Sequence, residues 1–245
     1  MIDRMLKLPA LAFVAACLSA CSVAPAGETV HDPFEAHNRE IHAFNKSFSE
    51  KIPRGNGDGP GLPPEIKNRI VGFADTVSLP GMVLNGIMQG DVEGAVTNGF
   101  RFLFNSTVGV LGMFDPATTM GLVEHETDFG ETLAVWGIQE GAYLEVAFLG
   151  PTTERALAGR VVDAIIDPLK FVGHPKQLEY ATIGSLAAGA VKLSDASDTI
   201  DSVLVDSADS YAMLRLLYLQ NRRYELGTTL PEESFDPYED IYGGQ

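Results

Sequence analysis

Apolar residues recur along this chain at the spacing of amphipathic helices. In the stretch DVEGAVTNGFRFLFNS, which Asp91 can cap, they fall every three or four positions, at Val92, Val96, Gly99, Phe100, Leu103 and Phe104. The polar residues Asn98, Arg101 and Asn105 fall on the other faces of the same helix. We therefore predict an amphipathic helix with a continuous apolar stripe.

The same pattern predicts helices on the N-terminal side of this stretch. Asp32 and Pro33 mark the start of a helix through HNREIHAFNKSF, whose apolar stripe comprises Phe34, Ile41, Phe44 and Phe48. After the loop-like stretch RGNGDGPGLPP, a second helix is predicted to begin near Pro64 and to break at Pro80.

Further elements are predicted on the C-terminal side. YLEVAFL alternates as a strand does, and Thr152 or Thr153 can cap a helix through ERALAGRVVDAII. An alanine-rich helix is predicted after Lys176, and a last one covers SADSYAMLRLLYLQNRRY. We predict a mostly α fold, with a single helical domain over residues 32–226 and a flexible acidic tail over residues 227–245.

Charged residues are scarce in the middle of this domain. Between Val71 and Val123 the only ones are Asp75, Asp91, Glu93, Arg101 and Asp115. The longest uncharged run, TVSLPGMVLNGIMQG, is too short for a spanning helix and contains Pro80. Two interpretations stay open. Helices could lie in the plane of a membrane or against a large partner, or this could be an unusually apolar core of a soluble domain.

The N-terminus has the pattern of an export signal. Arg4 and Lys7 precede the apolar run LPALAFVAACL, and LSAC ends at Cys21. We predict a signal peptide over residues 1–20, a lipid anchor on Cys21 and a linker over residues 21–31. An ordinary secreted protein with a chance cysteine is the alternative. Cleavage would also remove Cys17, so no intrachain disulfide could form.

Net charge limits the partners of the chain. The full sequence has a net charge of −16, and loss of Arg4, Lys7 and Asp3 with the signal peptide makes it −17. Such an acidic protein is repelled by nucleic acid and by anionic headgroups. We therefore expect no nucleic-acid partner, and membrane contact that is apolar or covalent.

The sequence contains no convincing catalytic or metal-binding motif. Asp128 begins DFG, but the other motifs that a kinase requires are missing. His37 and His42 lie five residues apart, which places them on different helix faces, about 140° apart. The acidic stretches EHETD and SDASDTIDS are explained by solvated turns and helix caps. No nucleophile with an oriented base can be named, and no cofactor or metal is predicted.

One segment between two predicted helices stands out. In DPLKFVGHPKQLEY the residues Pro168, Gly173 and Pro175 prevent a continuous helix. Apolar and basic side chains are mixed there, namely Leu169, Phe171 and Val172 with Lys170, His174 and Lys176. A plain connector and a mobile gate are both compatible with this composition.

Several long blocks resemble one known family. DPFEAHNREIHAFNKSF, LNGIMQGD, NGFRFLFNSTVGVLGMFDPAT, DFGETLAVWGIQEGAYLEVAFLGPTTER and SYAMLRLLYLQNRR are together similar to the MlaA family, also called VacJ. The chain departs from the family pattern at Ala36 and His37, where glycine and phenylalanine are usual. It departs again at Gly141, Ala142 and Tyr143, where the family has Gly-Pro-Tyr.

The resemblance implies a fold and a function. It implies a ring-like, membrane-embedded assembly of amphipathic helices in the inner leaflet of the outer membrane, anchored by lipid on its periplasmic side. Such a protein would sit beside a trimeric porin, take mislocalised phospholipid from the outer leaflet and pass it to a periplasmic MlaC-type carrier. A structural lipoprotein without a transport role, or a phospholipase, is the alternative.

The resemblance also assigns roles to residues. The segment discussed above would form a gate to the channel, with the residues Pro168, Leu169, Lys170, Phe171, Val172, His174 and Lys176. Independently of the resemblance, too few charges surround the stripe Val96, Phe100, Leu103 and Phe104 for a water-facing helix, so we predict that it faces lipid or a porin at least in part. The glycines from Asp128 to Pro151 would serve turns and close backbone approach. Trp136 and Tyr143 would lie at an interface.

Overall fold

A computed structural model describes residues 30–51, 62–172, 175–195 and 207–227, and they are mostly helical. The helices are α1 Glu35–Lys51, α2 Pro64–Gln89, α3 Val92–Thr107, α4 Pro116–Thr119, α5 Phe129–Val135, α6 Glu154–Ile166, α7 Leu169–Val172, α8 Pro175–Asp195 and α9 Ser210–Glu225. The strands are β1 Tyr143–Val146 and β2 Gly150–Thr153. The predicted signal peptide, Cys21 and most of the predicted tail lie outside the described residues.

Helix α2 packs against α3 on one side and α8 on the other. The prediction that it breaks at Pro80 is wrong, since the helix continues to Gln89 and ends at Gly90, whose φ is 79°. A proline removes one backbone hydrogen bond, but packing along both halves of a helix can hold it together. Here Leu79, beside the proline, is almost fully buried.

Several helices begin at a residue whose side-chain oxygen accepts a hydrogen bond from the first helical turn. Asp91 and Thr153 cap α3 and α6, as predicted, by accepting from the amides of Gly94 and Ala156. Asp128 caps α5 through the amide of Glu131 at 2.7 Å. The DFG triplet is therefore the start of a short helix, which the sequence pattern did not predict.

A two-stranded antiparallel hairpin joins the two ends of the domain. The strands β1 and β2 pair with Tyr143 opposite Thr153, while α1 packs on β1 and α9 on β2. Tyr143, Tyr211 and Leu219 form a buried apolar cluster there. Tyr143 is 1% exposed, so the expectation that it lies at an interface is wrong. Pairing with β2 and packing on α1 leave its ring inside the core.

Glycine permits the close packing of α5 on α6. A Cβ on Gly159 would lie 2.3 Å from the backbone nitrogen of Gly130. No side chain fits in that space, so these two helices touch through their backbones. This contact brings the first turn of α5 next to the middle of α6, where Asp163 lies.

Asn38 on α1 ties that helix to β1. Its side-chain nitrogen donates to the backbone oxygen of Tyr143 at 3.0 Å, and its oxygen accepts from the amide of Glu145 at 3.0 Å. We predict that Asn38→Ala lowers the free energy of unfolding by about 2 to 4 kcal/mol, because two buried backbone groups lose their partners. Chemical denaturation in detergent micelles would measure this.

Asn221→Ala on α9 is the matched control, since Asn221 is exposed and its side chain bonds Glu225. We expect a change within about 0.5 kcal/mol for it. Equal effects of the two substitutions would show that the Asn38 bonds do not hold α1 to the hairpin.

Candidate functional site

Helix α3 has its apolar side outward and its polar side inward. Val92, Val96, Phe100 and Leu103 are exposed, by 70%, 51%, 49% and 51% respectively. Asn98, Arg101 and Asn105 on the opposite side are all at most 5% exposed. The predicted stripe is therefore real, but it is not part of the chain's own core. Phe104, at its edge, is half-buried and stacks on Phe100.

Arg101 is the centre of the buried polar side of α3. Its guanidinium donates to the backbone oxygen of Leu122 at 2.5 Å and to the hydroxyl of Thr118 at 3.1 Å. It also pairs with Asp115 at 3.2 Å and with Glu124 at 3.1 Å. These partners lie in and after α4, so Arg101 fixes that segment against α3.

The pKa values of two carboxylates beside Arg101 are shifted in opposite directions. Burial would raise the pKa of Asp115, but hydrogen bonds from Thr118 and Asn105 and the charge of Arg101 bring it below its usual value. Burial raises the pKa of Glu124, and the charge of Arg101 offsets this in part.

A strained apolar turn follows α3. Val110 and Leu111 have φ values of 53° and 57°, a region that β-branched residues such as valine rarely adopt. Gly112 follows with φ 85°, and a Cβ there would lie 2.4 Å from the backbone oxygen of Gly72 on α2. The turn exposes a group of large apolar side chains, namely Val108, Val110, Leu111, Met113 and Phe114.

The exposed apolar side chains of the stripe on α3 and of the turn that follows it are together called the belt. It comprises Val92, Val96, Phe100, Leu103, Val108, Val110, Leu111, Met113 and Phe114. Soluble monomers rarely expose a contiguous apolar surface of this kind. Trp136 is also exposed, while its indole nitrogen donates to the backbone oxygen of Met88 at 3.1 Å. An amphipathic ring with a satisfied N–H suits a membrane interface.

Helix α2 has the length and composition to cross a membrane, the only such helix in the described part of the chain. The sequence predicted no span, because the uncharged run is short and a break was expected at Pro80, and the unbroken helix removes the second of these reasons. Only 22% of its apolar window is buried. Length and composition alone do not distinguish a span from a helix that lies in the membrane plane.

A cavity of about 310 Å³ with a mixed polar and apolar lining, which we call the Asp163 cavity, lies between α2, α6 and α8. Its wall includes Asp163, whose carboxylate accepts from Asn85 at 2.9 Å and from the amide of Phe129 at 3.0 Å. Burial raises the pKa of Asp163, and these two hydrogen bonds oppose the shift. Asn85 in turn accepts from Thr132 at 3.0 Å. These bonds join α2, α5 and α6 around the cavity.

An apolar cavity of about 280 Å³ lies between α2, α3 and α8. Phe73, Phe102, Leu111, Leu169, Leu178 and Tyr180 line it. Val77 on α2 borders both cavities. A cavity with carboxylates in its wall and an apolar cavity therefore meet at one helix, which is an arrangement suited to an amphiphile.

The segment predicted to be a gate lies beside both cavities. The helix is interrupted as predicted, since α6 ends at Ile166 and α7 begins at Leu169. Asp167 lines the Asp163 cavity and Leu169 the apolar one. Lys170 is exposed and donates to the backbone oxygen of Ala164.

Part of the predicted gate lies outside the described residues. Lys176 is exposed and Pro168 is half-buried. Gly173 and His174 lie outside the described residues, as do the side chains of Phe171 and Val172. Movement of this segment stays a prediction.

Within the described ranges, no group of three or more His, Cys, Asp or Glu side chains could hold a metal ion. His37 and His42 lie on different faces of α1, as predicted, with His37 exposed and His42 buried. Sequence reasoning missed the partner of His42, which is Glu145 on β1, 103 positions away. No spacing rule connects residues so far apart.

Comparison with known proteins decides the family. The model of the MlaA lipoprotein family matches residues 30–225. This chain belongs to the MlaA lipoprotein family. The resemblance noted in the sequence is thereby confirmed.

Relatives from several bacteria support this membership. The chain is 31% identical over 192 residues to an uncharacterized protein of Rickettsia typhi, covering 76% of this chain and 74% of that one. It is 28% identical to the intermembrane phospholipid transport system lipoprotein MlaA of Haemophilus influenzae, covering 80% and 79%. For the protein of the same name from Escherichia coli K12 the identity is 26%, covering 89% and 88%.

A solved structure shares the MlaA fold. It is described as the structural basis for maintenance of bacterial outer membrane lipid asymmetry. The match has a TM-score of 0.63 at 22% identity and covers 80% of this chain and 98% of that one. The predicted mostly α fold is confirmed.

The belt gives a stability prediction for this MlaA-family protein. If Phe100 faces lipid, as we propose below, Phe100→Asp should destabilise the protein in phospholipid bilayers by about 2 kcal/mol, because a carboxylate is unfavourable among acyl chains. Phe100→Leu, which keeps the position apolar, should change stability by less than about 0.5 kcal/mol. Thermal unfolding in liposomes would compare the two.

A water-facing Phe100 gives a different result. The exchange of an exposed ring for a carboxylate would then be neutral within about 0.5 kcal/mol. Equal stability of the Asp and Leu variants would thus contradict the membrane-facing assignment of the belt.

Proposed function

We propose that this protein removes mislocalised phospholipid from the outer leaflet of the outer membrane and passes it to a periplasmic carrier of the MlaC type. Membership of the MlaA lipoprotein family over residues 30–225 is the observation that supports this most. The relatives named as intermembrane phospholipid transport lipoproteins agree with it. The net effect is retrograde transport that maintains lipid asymmetry.

The geometry supports a membrane location for this activity. The belt would lie among acyl chains of the inner leaflet, or in part against a trimeric porin, with Val96, Phe100, Leu103 and Phe104 on that side. Lipid on Cys21 would add a covalent anchor on the periplasmic side. Apolar contact and acylation together would explain how a chain of net charge −17 after loss of the signal peptide stays at a membrane.

The two cavities suggest how a phospholipid is held. The polar side chains of Asp163 and Asn85 in the Asp163 cavity would face the headgroup, and the apolar cavity beside Phe73 and Phe102 would take an acyl chain. Because both touch Val77, one molecule could occupy the two at once. No nucleotide motif is needed if partners supply the driving force.

We propose that the segment from Pro168 to Lys176 controls access to these cavities. Asp167 and Leu169 border different cavities, so a shift of α7 would change both openings together. Lys170 and Lys176 are positive charges that could meet phosphate as a lipid passes.

A deletion strain tests the function directly. We expect deletion of the gene to raise surface-exposed phospholipid several-fold, and the wild-type gene on a plasmid to reverse the increase. Unchanged outer-leaflet phospholipid in the deletion strain would instead favour a structural lipoprotein.

The role of the apolar cavity can be tested in the same strain. Ala181→Phe would fill space in that cavity, since Ala181 is part of its wall, and we expect it to complement poorly. Ala190→Phe on the same helix is the matched control, because Ala190 is exposed and does not line the cavity. Full complementation by a correctly localised Ala181→Phe protein would show that lipid does not pass through this cavity.

A further inference from the structure

A serine, a histidine and a glutamate are hydrogen-bonded in series away from the two cavities. Nε2 of His42 lies 3.0 Å from Oγ of Ser210, and Nδ1 lies 3.1 and 3.2 Å from the two carboxylate oxygens of Glu145. The three residues come from α1, α9 and β1. Because His42 is separated from Glu145 by 103 positions and from Ser210 by 168, no local sequence motif reveals this arrangement.

The bonds fix the roles of the two imidazole nitrogens. A carboxylate only accepts, so Nδ1 of His42 carries the proton that it donates to Glu145. In the neutral ring Nε2 is then the acceptor for the hydroxyl hydrogen of Ser210. This tautomer is the one that a general base needs in order to activate a serine.

The surrounding structure holds the base in place. Glu145 is 5% exposed and also accepts from the side chain of Asn45 at 3.2 Å. The His42 ring packs edge-on against Tyr211, with 5.6 Å between centroids. His42 is thus oriented by a buried acid on one side and an aromatic ring on the other.

Ser210 lies where a nucleophile can meet a substrate. It is only half-buried, and it is the first residue of α9. Negative charge that develops beside it would be close to the positive end of the helix dipole. The exposed apolar side chains of Met213 and Leu217 follow on the same face of α9, three and seven positions later.

We propose that Ser210, His42 and Glu145 form an acyl-transfer site for carboxylic esters with an apolar acyl chain. Oγ of Ser210 attacks the ester carbonyl carbon and its proton passes to Nε2 of His42. The tetrahedral intermediate expels the alcohol, which takes that proton, and the acyl group stays on Ser210. Water, activated by the same nitrogen, then cleaves the acyl-serine bond and releases the carboxylic acid. Met213 and Leu217 contact the acyl chain.

This site is separate from the transport proposal. It uses none of the residues that line the two cavities. An inert Ser210 would leave the transport proposal unchanged, and a transport-deficient strain would say nothing about Ser210.

An alkyl fluorophosphonate tests the site in the full-length protein in detergent. We expect an adduct on Ser210, mapped by mass spectrometry, and its loss in Ser210→Ala. His42→Gln, which keeps a polar side chain but no base, should slow labelling by about 10²-fold or more. Release of p-nitrophenolate from a long-chain p-nitrophenyl ester should fall in the same variants.

Ser49→Ala is the matched control, because the Ser49 hydroxyl donates to the backbone oxygen of Lys46 within α1. It should label at the wild-type rate. Melting temperatures establish that each variant is folded, and adduct mapping in the wild type does not depend on any variant. Absence of a Ser210 adduct in the folded wild type, or equal labelling rates of wild type and folded His42→Gln, would overturn the proposal and leave the three residues as a structural link between α1, β1 and α9.

Discussion

The buried guanidinium of Arg101 determines which way helix α3 faces. A charge at 5% exposure is unfavourable unless it is paired and hydrogen-bonded, and Arg101 finds its partners in Asp115, Thr118, Leu122 and Glu124. Those partners belong to the segment that follows α3, and they lie against the inner side of that helix. The opposite side, with Val96, Phe100 and Leu103, must therefore face outward.

The rest of the candidate site depends on this orientation. Asn98 and Asn105 on the same inner side bond His125 and Asp115, so the segment after α3 is held by polar contacts on α3. The strained turn at Val110 and Leu111 is then placed beside the apolar cavity, whose wall includes Leu111. Polar groups inside and apolar groups outside are the arrangement that the proposed membrane location would accommodate.

The sequence predicted where helices occur along the chain better than it predicted which side of a helix faces outward. Period and caps located α3 and α6 because Asp91 and Thr153 act through local bonds. The apolar period alone could not say whether the stripe of α3 faces a core or a membrane, since both give the same spacing. Pro80 was misjudged because packing of α2 on α3 and α8, which holds the helix together, is not visible locally. The short helices α4 and α5 have too few turns to show a period.

The contacts around the candidate sites were less predictable still. Asp163 reaches Asn85 across 78 positions, and His42 reaches Ser210 across 168. Only the folded chain brings these residues together. The predicted interruption near Pro168 held because proline acts on its own backbone, but the sequence could not show that Asp167 and Leu169 border different cavities.

We propose that the outer side of α3 contacts lipid. Photolabelling from within the bilayer tests it most directly, with a diazirine on the acyl chains of reconstituted liposomes and adducts mapped by mass spectrometry. We expect adducts on Val96, Phe100 and Leu103 and none on Asn98 or Arg101. Adducts confined to the lipidated N-terminus, with α3 unlabelled, would contradict it.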